Sequence, residues 1–117
     1  MVQEGRPVRA GKRMIPAVEA YLEQHSGEKF SLQEVAGAMH VNASYLARLY
    51  KAHTGRTLLW YHHFIRCEKA KVLLKDGEMS ISEISEAVGF VTPSHFSRVF
   101  RQITGAPPST WRDDEGG

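Results

Sequence analysis

The side chains of this sequence best suited to reactive chemistry are its six histidines and its single cysteine. His63 and Cys67, with His62 alongside, stand at i and i+4 of a segment that reads as helix, a spacing that places two zinc or copper ligands on one face. A protein site needs three or four ligands, and His25, His40, His53 and His95 share no ligand spacing with that pair. No metal and no cofactor is therefore expected. No glycine-rich phosphate loop, paired-carboxylate motif or serine elbow is present either, so the chain does not read as an enzyme. A different chemistry is offered by Ser94, Ser97, Arg98 and Arg101, spaced i, i+3, i+4 and i+7 so that hydroxyls and guanidinium groups share one helical face. An arginine fork bonds guanine O6 and N7 together, and a hydroxyl donates or accepts, so this face has the chemistry of contact with DNA.

Composition bounds what can carry such a face. The chain has 117 residues, 42% hydrophobic and 24% charged, which is ordinary for a globular protein with one or two small helical units. No apolar run approaches the roughly 20 residues of a membrane span. The N-terminal MVQEGRPVRAGKR lacks the apolar segment of a secretory signal, and one cysteine allows no internal disulfide, so a reducing cytoplasm is the expected compartment. The net charge of +2 argues for nothing by itself. Its distribution is more informative: residues 31–79 hold seven basic residues against four acidic, while Arg98 and Arg101 stand apart from Asp113, Asp114 and Glu115 in the tail.

The spacing of apolar residues and caps predicts an all-α chain of seven helices. Residues 1–13, rich in Gly and Arg, read as a flexible lead, followed by a helix from about Pro16, placed near N1, to His25. Ser31 and Glu34 read as a capping box opening a helix with Leu32, Val35, Ala36 and Met39 inward. Asn42 caps the next, which carries Leu46, Leu49 and Tyr50 inward and ends at Gly55. From Thr57 to Lys75 there is no Gly or Pro, so one helix of roughly 28 Å is expected before Asp76-Gly77 stops it. Its Trp60, Tyr61, Phe64 and Ile65 read as core.

The two halves flanking that helix repeat. Ser31, Glu34 and Ala38 match Ser80, Glu83 and Ala87 at a shift of 49, and Arg48, Thr54 and Gly55 match Arg98, Thr104 and Gly105 at a shift of 50, so the one-residue slip lies in the turn. In AVGFVTPSHFSRVF, Gly89 supplies the positive φ of a tight turn, Phe90 plugs the core, Thr92 caps and Pro93 occupies N1. Phe96, Val99, Phe100 and Ile103 then face inward. A short helix, a turn and a projecting second helix make a helix-turn-helix, and this chain holds two, with Ser44, Ala47, Arg48 and Lys51 as the outer face of the first. The expected boundaries are 14–56 and 76–112 for the two subdomains, 57–75 for the linker helix, and 113–117 for an acidic and Gly tail.

From about Ser31 to Arg112 the chain resembles the DNA-binding domain of AraC/XylS-type transcription regulators, through SLQEVA, SYLARLYKAHTGRT, RCEKAKVLL, ISEISEAVGF and SHFSRVFRQITGAPPSTWR. The resemblance implies two recognition helices, about 43–53 and 93–103, entering successive major grooves of promoter DNA. It also implies contact with RNA polymerase, a bacterial cytoplasmic activator, and a monomer where no sensor and dimerisation domain is attached. The chain departs from the family at Ser85, where Ala is usual, at His40, where Gly is usual, and at His95, where an aromatic is common. His40 therefore needs a disfavoured backbone conformation or a shifted turn.

The expected DNA-binding residues are Asn42, Ser44, Tyr45, Ala47, Arg48, Lys51, Thr92, Ser94, His95, Ser97, Arg98 and Arg101. Arg48 and Arg98 take the base-reading positions; surface arginines paired to nearby carboxylates are the plainer alternative. Lys51 and Arg101, one turn further on, suit phosphate, and Ala47 offers a methyl to thymine. Asn42 and Thr92 are caps first. A protonated His95 near phosphate would tighten binding as pH falls, whereas a neutral His95 buried against the helix would not. A helical protein-interaction module remains an alternative, separated from a DNA reader by its flat response to salt. A rigid linker would hold the recognition helices near the roughly 34 Å that divides successive grooves.

Overall fold

Seven helices and no strand make up the described residues of the computed structural model, which describes the backbone of residues 7–116 and the side chains of 11–112. No helix among them is long and apolar enough to cross a membrane. The helices are α1 (Pro7–Gln24), α2 (Leu32–Ala38), α3 (Ala43–Thr54), α4 (Leu58–Asp76), α5 (Ile81–Ala87), α6 (Pro93–Thr104) and α7 (Pro108–Gly116). The chain divides into two compact units. One holds the residues up to His25 with Phe30–His62, the other Ser26–Lys29 with everything from His63 onward.

In the first unit α1 begins at Pro7, not near Pro16, so the expected flexible lead fails over residues 7–13; residues 1–6 lie outside the described residues. Pro16 sits inside the helix, where it removes the amide that would bond to the Lys12 carbonyl. Tertiary packing outweighs that loss. Gly11 is buried so closely against α3 that an added methyl would lie 2.3 Å from Leu49 Cδ1. Val18 and Leu22 are buried further along the same helix, and Tyr50 and Tyr61 donate hydrogen bonds to Glu19 and Glu23 at 2.8 and 2.9 Å. Burial, and then the bond to Glu23, pushes the Tyr61 phenol up to about 12; burial likewise raises Tyr50. Ser31 accepts from the Glu34 amide at 3.2 Å, but the return bond of a capping box is not formed there. The N-cap backbone has φ −145° there, against −70° at Ser80, where the return bond forms.

The second unit is built on Cys67, Ala70, Leu74, Ile84, Val88, Phe90, Phe96, Val99 and Phe100, with Trp111 packed against them. Burial pushes the Cys67 thiol up to about 12, which makes it a core residue with little thiolate to offer a metal. Among the described residues no group of three or more His, Cys, Asp or Glu converges on a metal position. Here the capping box is complete: Ser80 accepts from the Glu83 amide at 3.0 Å and donates its own to Glu83 at 2.8 Å. Where an acidic and Gly tail is expected from residue 113, the backbone is helical, because α7 continues to Gly116.

Candidate nucleic-acid interface

The turn of the first helix-turn-helix is four residues long, Met39 to Asn42, and His40 takes φ +60° in it. The Val41 amide bonds back to the Ala36 carbonyl at 3.0 Å and closes the turn. Asn42 then caps α3, its Oδ1 accepting from the Tyr45 amide at 3.0 Å. At the other end, Thr54 donates to the Tyr50 carbonyl at 2.7 Å and Gly55, at φ +76°, ends the helix in a left-handed conformation. Between these fixed ends Leu46, Leu49 and Tyr50 are buried and Ser44, Arg48 and Lys51 are exposed. Tyr45 and Ala47 are half-buried, and Ala47 lines a mostly apolar cavity of about 160 Å³ with Phe30, Leu32 and Leu58. Its methyl is thus shared between that cavity and the outer face.

The second helix-turn-helix repeats the device with one more residue. The Phe90 amide bonds to the Ser85 carbonyl at 2.9 Å as Val41 does to Ala36, and Gly89, at φ +108°, stands where His40 stands. Ser85, fully buried, donates to the Thr92 carbonyl at 3.2 Å, so its hydroxyl fastens the turn at little cost. The slip between the halves is Val91, which is 94% exposed. Thr92 accepts from the His95 amide at 3.1 Å, Pro93 fills N1, and Thr104 with Gly105 closes α6 as Thr54 with Gly55 closes α3. Phe96, Val99 and Phe100 are buried, Ser94, Arg98 and Arg101 exposed, Ser97 half-buried.

Neither Arg48 nor Arg98 forms an ion pair among the described residues, nor do Lys51 and Arg101; their charges face solvent. His95 is placed differently from its neighbours. Its ring is half-buried, edge-on to Phe90 at 5.2 Å and 6.1 Å from His63. Burial first, then His95 and Arg66, lowers the pKa of His63. The twelve expected residues therefore fall in two groups of six, one on each second helix or its cap, with Ala47, Tyr45, Ser97 and His95 turned partly inward.

Arg66 is a buried residue outside the twelve expected contacts. It lies on the buried i, i+4 stripe of α4, Leu58, His62, Arg66, Ala70 and Leu74, and is 6% exposed. An arginine on the i, i+4 line with Leu58, Ala70 and Leu74 was the available signal.

A family described as "Helix-turn-helix domain" matches residues 35–114. The MmsAB operon regulatory protein of Pseudomonas aeruginosa is 30% identical over 107 residues, covering 92% of this chain but 35% of its own length. The C-terminal domain of AraT, a response regulator from Geobacillus stearothermophilus, is 33% identical with a TM-score of 0.77, covering 85% of this chain and 83% of that one. A Chromobacterium violaceum transcriptional regulator, described as an AraC-type DNA-binding domain-containing protein, is 25% identical with a TM-score of 0.82, covering 92% of this chain and 96% of that one. The chain spans between about a quarter and two fifths of the length of the curated relatives it matches.

Proposed function

Because the chain belongs to the AraC/XylS-type helix-turn-helix family of transcription regulators, we propose that it reads promoter DNA with α3 and α6 placed in successive major grooves. One observation carries this reading: the same face, Ser44-Ala47-Arg48-Lys51 and Ser94-Ser97-Arg98-Arg101, is presented twice over two independently built cores. A face that recurs in composition and register on two projecting helices suits contact with two successive grooves.

In this reading Arg48 and Arg98 bond base edges, since they lie near the second turn of their helices and are exposed. Lys51 and Arg101, a turn further from the N-terminus, meet phosphate, and the capped Asn42 and Thr92 bring the helix N-termini toward the backbone. His95, Tyr45, Ala47 and Ser97 border the contact. The protein acts as a cytoplasmic monomer without catalysis, and meets RNA polymerase as the family resemblance implies.

Selection of bound duplexes from a random pool, followed by affinity at two salt concentrations, tests the proposal. Two enriched clusters of base pairs and a steep fall of affinity with salt are expected. A flat salt response with no enriched sequence would refute it and would favour a protein-interaction module.

A further inference from the structure

Arg66 is buried, yet among the described residues it pairs with no carboxylate. Its Nε donates to the Ser26 carbonyl at 2.6 Å and its Nη2 to the Glu28 carbonyl at 2.8 Å, while the guanidinium lies 5.0 Å over the Phe90 ring. Edge and face of one planar group are thus both used, the edge on backbone and the face on an aromatic ring. Gly89 completes the arrangement. A methyl added there would lie 2.9 Å from Arg66 Nη2 and 3.1 Å from the Gly27 carbonyl oxygen. Phe90 in turn packs against Phe96, the first fully buried side chain of α6, with ring centroids 5.4 Å apart.

A buried charge without an ionic partner is weak evidence for stability, because an apolar side chain of similar volume often holds a core as well. What the guanidinium supplies and a hydrocarbon cannot is direction: two carbonyls and one ring fixed at set angles around a single plane. We infer that Arg66 is the positioning residue of the second recognition helix, fixing the Gly89-Phe90 turn against the backbone of residues 26–28 and so setting where α6 presents Arg98 and Arg101. Arg66 touches no DNA in this scheme. The inference rests on the DNA-reading function proposed above for its readout at base pairs, but the clamp itself is a property of the free protein.

The test compares wild type with Arg66→Met and Arg66→Lys, after circular dichroism has shown which variants keep their helices. Amide exchange in the DNA-free protein should quicken on the order of tenfold at residues 88–92 in both variants, with the equivalent residues 39–41 unchanged as an internal reference. In selection from a random pool, preference at the base pairs assigned to Arg98 should fall on the order of tenfold while those assigned to Arg48 are kept. Lysine should not rescue, since a single ammonium cannot hold both carbonyls and stack on the ring. Should Arg66→Met unfold, Arg66→Lys carries the comparison. Wild-type exchange rates in Arg66→Lys, or equal loss of preference at both half-sites, overturns the inference. If wild type itself shows no sequence preference, the DNA-reading proposal falls and the exchange comparison still decides on the clamp.

Discussion

The first helix-turn-helix unit and the second solve one problem with different means. Both end their second helix with a Thr-Gly pair and both close the turn with the same backbone bond, 3.0 Å at Val41 and 2.9 Å at Phe90. Between those fixed points the first unit uses a four-residue turn with a strained His40, half of a capping box, and a core tipped with polar bonds from Tyr50 and Tyr61 to α1. The second uses Gly89, an additional exposed Val91, a full capping box and a core that joins aliphatic side chains to Phe90, Phe96 and Phe100. What is shared is the geometry that projects a helix; what differs is how each core is held beneath it. The motif is therefore a constraint on the backbone at the turn and at both ends of the second helix, and leaves the packing free.

The largest test of that contrast lies in the cores. Phe100→Ala removes a fully buried ring that meets Phe96 and Trp111, and should destabilise the second unit by about 3 to 5 kcal/mol in urea denaturation. At the matching position Tyr50→Phe keeps the ring and loses only the bond to the half-buried Glu19, for about 1 kcal/mol. Comparable losses from the two changes would mean that the polar tip matters as much as the whole aromatic core.

Next come the outer faces, where the units should behave alike. Arg48→Ala and Arg98→Ala should each cost about 1 to 3 kcal/mol on the selected site and relax preference at one base pair. Lys51→Ala and Arg101→Ala should weaken all duplexes together and lower the salt slope by about one. Measured binding profiles in which neither arginine variant alters base preference would remove base reading from both halves, and a change in only one of them would break the symmetry.

A smaller effect is expected at the turn. His40 is exposed and sits at φ +60°, so His40→Gly relieves the left-handed strain and loses no packing. After the added entropy of the unfolded glycine is subtracted, a gain of about 0.5 to 1 kcal/mol should remain in thermal melts. A neutral or negative result would show that the imidazole contributes something that its exposure does not reveal.

The smallest effect is a slope with pH confined to the second unit. His63 has a folded pKa lowered by burial and then by His95 and Arg66, the charged groups that face it. The unfolded chain therefore binds the proton more tightly, and the contribution of neutral His63 is complete above about pH 6.5 and lost as pH falls below it. His63→Leu should flatten that acid-side loss in melts taken between about pH 7 and 5. An unchanged slope would assign the acid sensitivity to other groups.

The sequence alone determined the helix starts and stops of the repeated part, because Asn42, Thr92, Pro93, Gly55, Gly89 and Gly105 act through their own backbone or a partner three residues away. It determined the faces of α3 and α6 for the same reason, since 3.6-residue periodicity sorts Phe96 from Arg98 without knowledge of what packs on either. The family resemblance marked His40 as an anomaly. Tertiary structure decided the rest. Nothing local makes PVRAGKRMIP a helix with Pro16 inside it; the pressing of Gly11 onto Leu49 and the tyrosine bonds to Glu19 and Glu23 do, and these join residues 31 to 38 positions apart. Arg66 was visible as a charge on the i, i+4 line with Leu58, Ala70 and Leu74, but only the fold supplies its partners, the Ser26 and Glu28 carbonyls 40 and 38 positions away. The same holds for His95, which local spacing puts on the outer face and which Phe90 and His63 draw half inward. Caps and periodicity are short-range and therefore readable in order along the chain, whereas burial is set by whatever segment arrives on the other side.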